Sequence, residues 1–241
     1  MTNSRLAYGA EPAKAAYPLR LARYKGLAED IAAWLRAHPG TRPVRLLDLG
    51  LGSGRSLRFL EAEGVAQQIR FHGFDVSPSR LATARARKEW SLCRGTLTAP
   101  LPYAAESADI CICEQVIEHL EDPGLVLREI GRVLRPGGLL VLGVPSFPAP
   151  VLPLHRALTR LRRRLSPDRH FHVQSFTARA ARSVVERAGF SVRDLRGFRL
   201  TSGGLTRPLE ERAWWYRANR RFGAHFPGLC IEVQVLATRD T

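Results

Sequence analysis

Three groups of residues in this chain of 241 have types and spacing that can do chemistry. The first is Asp48-Leu49-Gly50-Leu51-Gly52-Ser53-Gly54, an acid followed by glycines at alternate positions. A turn without Cβ atoms lets backbone amides come into contact with a ligand. The dinucleotide spacing G-x-G-x-x-G would need a glycine at 55, where Arg55 stands. The second is Asp75, 21 residues past Gly54. An acid there can accept hydrogen bonds from both hydroxyls of a ribose, with Val76 following it. The third is His119, which begins the loop after the apolar run 108–113. An imidazole titrates near neutral pH and suits a general base at a hydroxyl acceptor. The plainer alternatives are a tight strand-to-helix turn, an acid that caps the helix opened by Ser77-Pro78, and a loop histidine that orders the Asp122-Pro123 turn.

These groups need elements to position them, and hydrophobic period supplies an alternating set. Leu27 to Leu35 reads as a helix with Leu27, Ile31, Trp34 and Leu35 on one face. Residues 44–50, 69–75, 108–113, 138–144, 190–198 and 229–238 read as strands. Residues 55–64 and 78–88 read as helices, as do 123–134, stopped by Pro136-Gly137-Gly138, and 177–188, capped by Thr177. Alternating β and α units mean a doubly wound α/β sheet, whose ligands bind beyond the carboxyl ends of the strands. The first acid-glycine group, Asp75 and Glu114 each stand at such an end. The expected organisation is a single domain: a helical cap over 1–40, a core over 41–144, a basic Pro-rich insertion or lid over 145–176, and closing elements over 177–241.

Composition excludes several classes. No apolar run approaches the roughly 20 residues of a membrane span, and the first residues lack the apolar run of a secretory leader. Cys93, Cys111, Cys113 and Cys230 form no C-x-x-C pair, so no metal site is expected. Cys111 and Cys113 alternate along an apolar run as buried strand residues do. The expectation is a reduced, cytoplasmic protein. The formal charge is +15, unevenly spread: residues 1–150 hold 19 Lys+Arg against 15 Asp+Glu, and residues 151–241 hold 18 against 7. Arg160–Arg164 is the densest run, suited to an anionic surface, a phosphate or a nucleic acid. GC-rich coding is the competing source of so many arginines. Residues 199–227 interleave Trp214, Trp215, Tyr216 and Phe222 with Arg207, Arg212, Arg217, Arg220 and Arg221. That pattern fits ring stacking, phosphate or nucleic-acid contact, or an amphipathic helix packed on the sheet.

The D-x-G-x-G-x-G group resembles the cofactor loop of class I S-adenosylmethionine-dependent methyltransferases. ADICICEQVIEHLEDP (108–123) and LREIGRVLRPGGLLVLGVP (127–145) are similar to the segment after strand four and the R-x-L-R/K-P-G-G turn of the small-molecule members typified by ubiquinone- and menaquinone-biosynthesis enzymes. LPYAAESADI (101–110) and HVQSFTARAARSVVERAGFSV (172–192) extend the resemblance, which covers about residues 25–198 in order. It implies a Rossmann-like sheet of seven mostly parallel strands with one antiparallel strand and helices on both faces. It implies S-adenosylmethionine as cofactor, with Asp48, Gly50, Gly52, Ser53 and Gly54 at its methionine end, Asp75 at the ribose, and Val76 and Glu114 also against the cofactor. His119 is the candidate base; His172 matches the family's structural histidine, and His170 is left to face substrate or solvent. In one respect the chain departs from the family: Gly95-Thr96-Leu97-Thr98 stands where an Asp usually holds the adenine, leaving the Leu97 amide and the threonine hydroxyls for that edge.

The resemblance favours a small-molecule acceptor, anionic or lipid-linked, methylated at oxygen or carbon by in-line displacement. Contact with an anionic membrane surface is compatible with the charge. RNA or protein methylation is the alternative suggested by the basic half, and a catalytically silent binding module is the alternative suggested by the missing acid. Cys113-Glu114-Gln115-Val116 replaces the N/D-P-P-Y/F needed for DNA amino-group methylation.

Overall fold

The structure is a computed structural model that describes residues 21–40, 42–85, 91–153, 157, 174–200, 208–209 and 212–240. Its elements follow the chain as α1 (Ala22–Ala37), β1 (Val44–Leu49), α2 (Arg55–Ala62), β2 (Ile69–Asp75), α3 (Pro78–Arg85), β3 (Ser91–Arg94), β4 (Ala108–Glu114), α4 (Pro123–Val133), β5 (Leu134–Pro145), α5 (Ala178–Arg187), β6 (Phe190–Phe198), α6 (Ala213–His225) and β7 (Glu232–Arg239). The seven strands lie in the order β3-β2-β1-β4-β5-β7-β6. All neighbours pair in parallel except β7, which runs antiparallel to both β5 and β6.

Side-chain alternation divides the core between two faces. Leu47, Leu49, Cys111, Cys113, Leu140 and Leu142 pack with α4 and α5 on one. Leu46, Ile110, Ile112 and Val141 pack with α1, α2 and α3 on the other. α6 joins that second face through Trp215, Tyr216, Phe198 and Ala22. Helix ends are set locally. Asp122 accepts from Gly124 N at 2.8 Å and Leu125 N at 3.3 Å, with Pro123 in the first turn where its missing N–H costs nothing. Thr177 accepts from Ala180 N at 3.1 Å.

Several elements differ from those that the hydrophobic period predicts, three of them with a clear physical reason. α1 begins five residues before Leu27, because Ala22 is buried against Phe198 and Arg23 is anchored by acids of the sheet. The Pro136-Gly137-Gly138 turn lies inside β5, where Gly137 takes φ +73° and the register with β4 shifts between Ala108 and Ile110. β3 went unread: four residues at a sheet edge with no fully buried side chain leave no periodic signal.

The sheet's two edges are built for different tasks. At the amino edge Asp109 is locked by Arg42 (2.8 and 3.1 Å), Arg135 (2.9 Å) and the Arg45 amide (2.7 Å). The carboxyl edge gathers the loops after β1, β2 and β4 at the point where strand order reverses between β1 and β4.

Candidate active site

The glycine loop leaves β1 and turns back under Asp75. Gly50, Gly52 and Gly54 have φ of +74°, +56° and +73°, values that only glycine holds without strain. A Cβ on Gly50 would collide with the Val116 side chain, so this glycine also lets the loops after β1 and β4 touch. A Cβ on Gly52 would meet only the Gly50 carbonyl, at 4.0 Å, so space is open above that residue. Gly50 N donates to Phe74 O at 2.7 Å, and Gly52 N donates to Asp75 Oδ2 at 2.9 Å. Asp75 Oδ1 accepts from Ser77 N at 2.8 Å. One buried carboxylate thus holds the loop after β1 and the turn after β2 in one arrangement. Val76 beside it is 62% exposed on the rim.

Asp48 lies beneath the loop, where it accepts the Ser56 hydroxyl from the first turn of α2. Burial pushes its carboxyl up to about 7, against the Ser56 hydrogen bond, with Asp75 nearby adding to the rise. Leu97 is half-buried against the core, and the Thr96 and Thr98 hydroxyls stand 2.7 Å apart.

Glu114 ends β4 and is buried. Gln234 Nε2 donates to its Oε1 at 2.5 Å, and Arg23 Nε lies 3.4 Å from its Oε2. Burial pushes this carboxyl up to about 7, opposed by Arg23 and Gln234. Arg23 reaches on to Glu232 at 2.9 Å, which Arg199 holds at 2.6 Å from the other side. Burial works against the Arg23 charge, and Glu232, Tyr24 and Glu114 outweigh it, so the guanidinium stays firmly protonated. Gln115 follows in the left-handed region at φ +57°, with its amide bonded to Gly143 O at 2.8 Å.

Glu118 and His119 sit on the short turn after β4. Glu118 is 1% exposed, and neither carboxyl oxygen has a hydrogen-bond partner among the described residues. Burial pushes it up to about 8. His119 is half exposed, with Nε2 3.9 Å from Glu118 Oε1. Gln174 covers this turn, its amide donating to Glu118 O at 2.9 Å and its side chain to Glu121 O at 2.8 Å.

The structure therefore brings Asp48, the glycine loop, Asp75, Val76, Leu97, Glu114 and His119 to the same edge. His170, His172, Arg207 and Arg160–Arg164 lie outside the described residues. Arg23, Glu118, Glu232 and Gln234 are residues the sequence reading missed. Arg23 and Glu232 are 209 positions apart, and nothing local marks them as partners. Glu118 carried a signal, an acid directly before the candidate histidine.

Residues 47–142 match the family described as the methyltransferase domain. An uncharacterized methyltransferase of Mycobacterium leprae is 34% identical over 144 residues, which cover 56% of this chain and 51% of that protein. A Mycolicibacterium smegmatis protein named a probable S-adenosylmethionine-dependent methyltransferase is 31% identical over 182 residues, covering 71% and 64%. The chain spans about half the length of the first two curated relatives it matches. Among solved structures, an S-adenosylmethionine dependent methyltransferase from Mesorhizobium loti has a TM-score of 0.58 at 22% identity, covering 90% of this chain and all of that one. A chain from the complex between the Haloferax volcanii Trm112 methyltransferase activator and a methyltransferase has a TM-score of 0.61 at 20% identity, covering 94% and 99%. At such identities these two bear on the fold alone. Sequence matches, sheet order and the glycine loop agree: residues 47–142 match a methyltransferase domain, and the chain is similar to class I S-adenosylmethionine-dependent methyltransferases.

Proposed function

We propose that this chain transfers a methyl group from S-adenosylmethionine to a small-molecule acceptor, anionic or lipid-linked, at oxygen or carbon. The observation that carries this reading is the open glycine loop tied through its Gly52 amide to the buried Asp75 carboxylate. The residues present fit the cofactor. Space over Gly52 leaves room for the methionine end, and Asp75 keeps lone pairs for two ribose hydroxyls beyond its bonds to Gly52 and Ser77. Asp48 acts from below by holding Ser56 and the start of α2. Leu97 and Val76 offer an amide and an apolar side chain for the adenine. When bound, the cofactor supplies an activated sulfonium methyl group, so the protein needs no covalent intermediate.

The chain's own residues then position the acceptor and keep out water. Glu114 and Glu118 are buried at the end of β4, and burial raises both carboxyls to near neutral pKa, so they keep part of their protons around pH 7. His119, half exposed on the same turn, takes the proton of a hydroxyl acceptor as general base.

Calorimetry with S-adenosylmethionine tests the cofactor step. Binding to the wild type and at least tenfold weaker binding to Asp75→Ala are expected; no binding, or binding indifferent to Asp75, sinks the reading. A labelled-methyl screen of total RNA beside a polar-lipid extract tests the acceptor class. Label in RNA alone overturns the small-molecule choice.

A further inference from the structure

Helix α6 has two unlike sides. Its inner side is fitted to the sheet: Asn219 Oδ1 accepts from Leu200 N at 3.1 Å, and Gly223 lies so close to the Gly197 carbonyl that a side chain would collide. Arg220 also faces inward, over the Phe198 ring and 3.1 Å from Glu29 of α1. The outer side carries Trp214, Arg217, Arg221 and His225, spaced so that they form one stripe, all exposed. The stripe runs about 16 Å along the axis. Beyond its end Phe226 and Leu229 are 55% and 50% exposed, and Trp214 at its start is 53% exposed.

Apolar side chains at both ends, Trp214 at one and Phe226 and Leu229 at the other, therefore flank two arginines. No Asp or Glu occurs anywhere from Arg212 to Ile231. Most of the large apolar side chains that the described residues leave exposed are here: Leu200, Trp214, Phe226 and Leu229, against Val76, Leu125 and Val151 elsewhere. Location adds to this. Leu200 comes just after the end of β6, so its bond to Asn219 puts the first half of α6 at the carboxyl edge, which also carries the glycine loop and Glu114.

We propose that the outer side of α6, continued by Phe226 and Leu229, docks on an anionic phospholipid membrane. Trp214, Phe226 and Leu229 enter the headgroup boundary, and Arg217 and Arg221 pair with lipid phosphates. Nucleic acid suits this surface less well. Leu200 and Leu229 have no flat face on which a base could stack. Trp214 stands edge-on to Trp215 (75°, 5.5 Å), and Phe226 is tilted 40° against Phe222 at 5.2 Å. Rings braced in this way act as fixed wedges rather than as an open stacking platform. The inference stands apart from methyl transfer, although it would bring the carboxyl edge to a lipid-linked acceptor.

The test is co-sedimentation of the full chain with vesicles of phosphatidylcholine and phosphatidylglycerol, beside phosphatidylcholine alone, with mixed-sequence single-stranded RNA as competitor. Binding to the anionic vesicles only is expected. The double variant Arg217→Ala/Arg221→Ala should bind about 30-fold more weakly, and Trp214→Ala about tenfold more weakly. Arg36→Ala/Arg187→Ala, in the last turns of α1 and α5 at the opposite, amino edge, should bind as the wild type does. All these side chains are exposed, and circular dichroism checks that each variant folds. No anionic-vesicle binding, equal binding by wild type and both α6 variants, or RNA displacing the protein from vesicles through the same two arginines overturns the proposal. Calorimetry with S-adenosylmethionine on the same preparations separates a failed membrane surface from a failed cofactor site.

Discussion

Gly50→Ala and Gly52→Ala place the same methyl group two residues apart in one loop, and the structure assigns them different costs. Both positions are left-handed, at φ +74° and +56°, so either alanine carries about 1–2 kcal/mol of backbone strain. At Gly50 the new Cβ also runs into Val116, and overpacking of that kind adds about 1–3 kcal/mol. Gly50→Ala should therefore lose about 2–5 kcal/mol, a large part of a typical domain stability of about 5–15 kcal/mol. Gly52→Ala meets only open space, so its stability loss stays at the strain alone. Its methyl instead fills the room proposed for the cofactor, and S-adenosylmethionine affinity should fall more than tenfold. Urea unfolding of the cofactor-free protein measures the first difference, and calorimetry the second. Val116→Ala supplies an internal check: in the Gly50→Ala background it should recover part of the loss, a non-additivity expected of groups in contact. The reasoning is refuted if Gly50→Ala unfolds no earlier than Gly52→Ala, or if the double variant shows no recovery.

The buried acids set a pH dependence. Glu118 is raised from 4.5 to about 8 by burial, so its proton adds stability that is complete below 4.5 and is lost as pH rises through about 8. Asp48 and Glu114, both raised to about 7, act in the same direction. The urea midpoint should fall between about pH 5 and 8, and Glu118→Gln should flatten that slope; a midpoint that climbs with pH contradicts the burial argument. Arg23→Ala leaves Glu114 and Glu232 with less compensation and should cost about 3–5 kcal/mol, seen as a thermal midpoint about 10 °C lower. A loss below about 1 kcal/mol would show that Arg199 and Gln234 suffice alone. His119→Ala, at a half-exposed position, should leave stability within about 0.5 kcal/mol and cofactor affinity unchanged while slowing methylation of a hydroxyl acceptor by about 100-fold or more. An unchanged rate across neutral pH removes His119 as the base.

Local chemistry made much of this protein legible in its sequence. Glycine at alternate positions after an apolar run, an acid at the tip of the next run, Pro123 behind Asp122 and Thr177 before a helical stripe are all short-range signals. Each one matched the element it predicted, because loops and caps are decided by residues a few positions apart. The alternation of strands and helices gave the doubly wound class for the same reason. β3 escaped because an edge strand without fully buried side chains has no pattern to read. The bulge at Gly137 escaped because proline and glycine there look like a stop.

What only the tertiary structure decided is the electrostatic setting of the site. A carboxyl's pKa depends on what covers it, and the groups around Glu114 come from α1, β7 and the end of β6. Arg23 and Glu232 meet across 209 positions of chain. The aromatic and basic stretch before β7 had also allowed several readings. Packing separates its residues: Arg220 and Asn219 turn inward to hold α6 on the sheet, while Trp214, Arg217 and Arg221 turn outward. The sequence by itself determined where the glycine loop lies and which acid faces it. The fold alone determined which charges are buried together and which are left to meet another surface, because burial is a property of long-range packing.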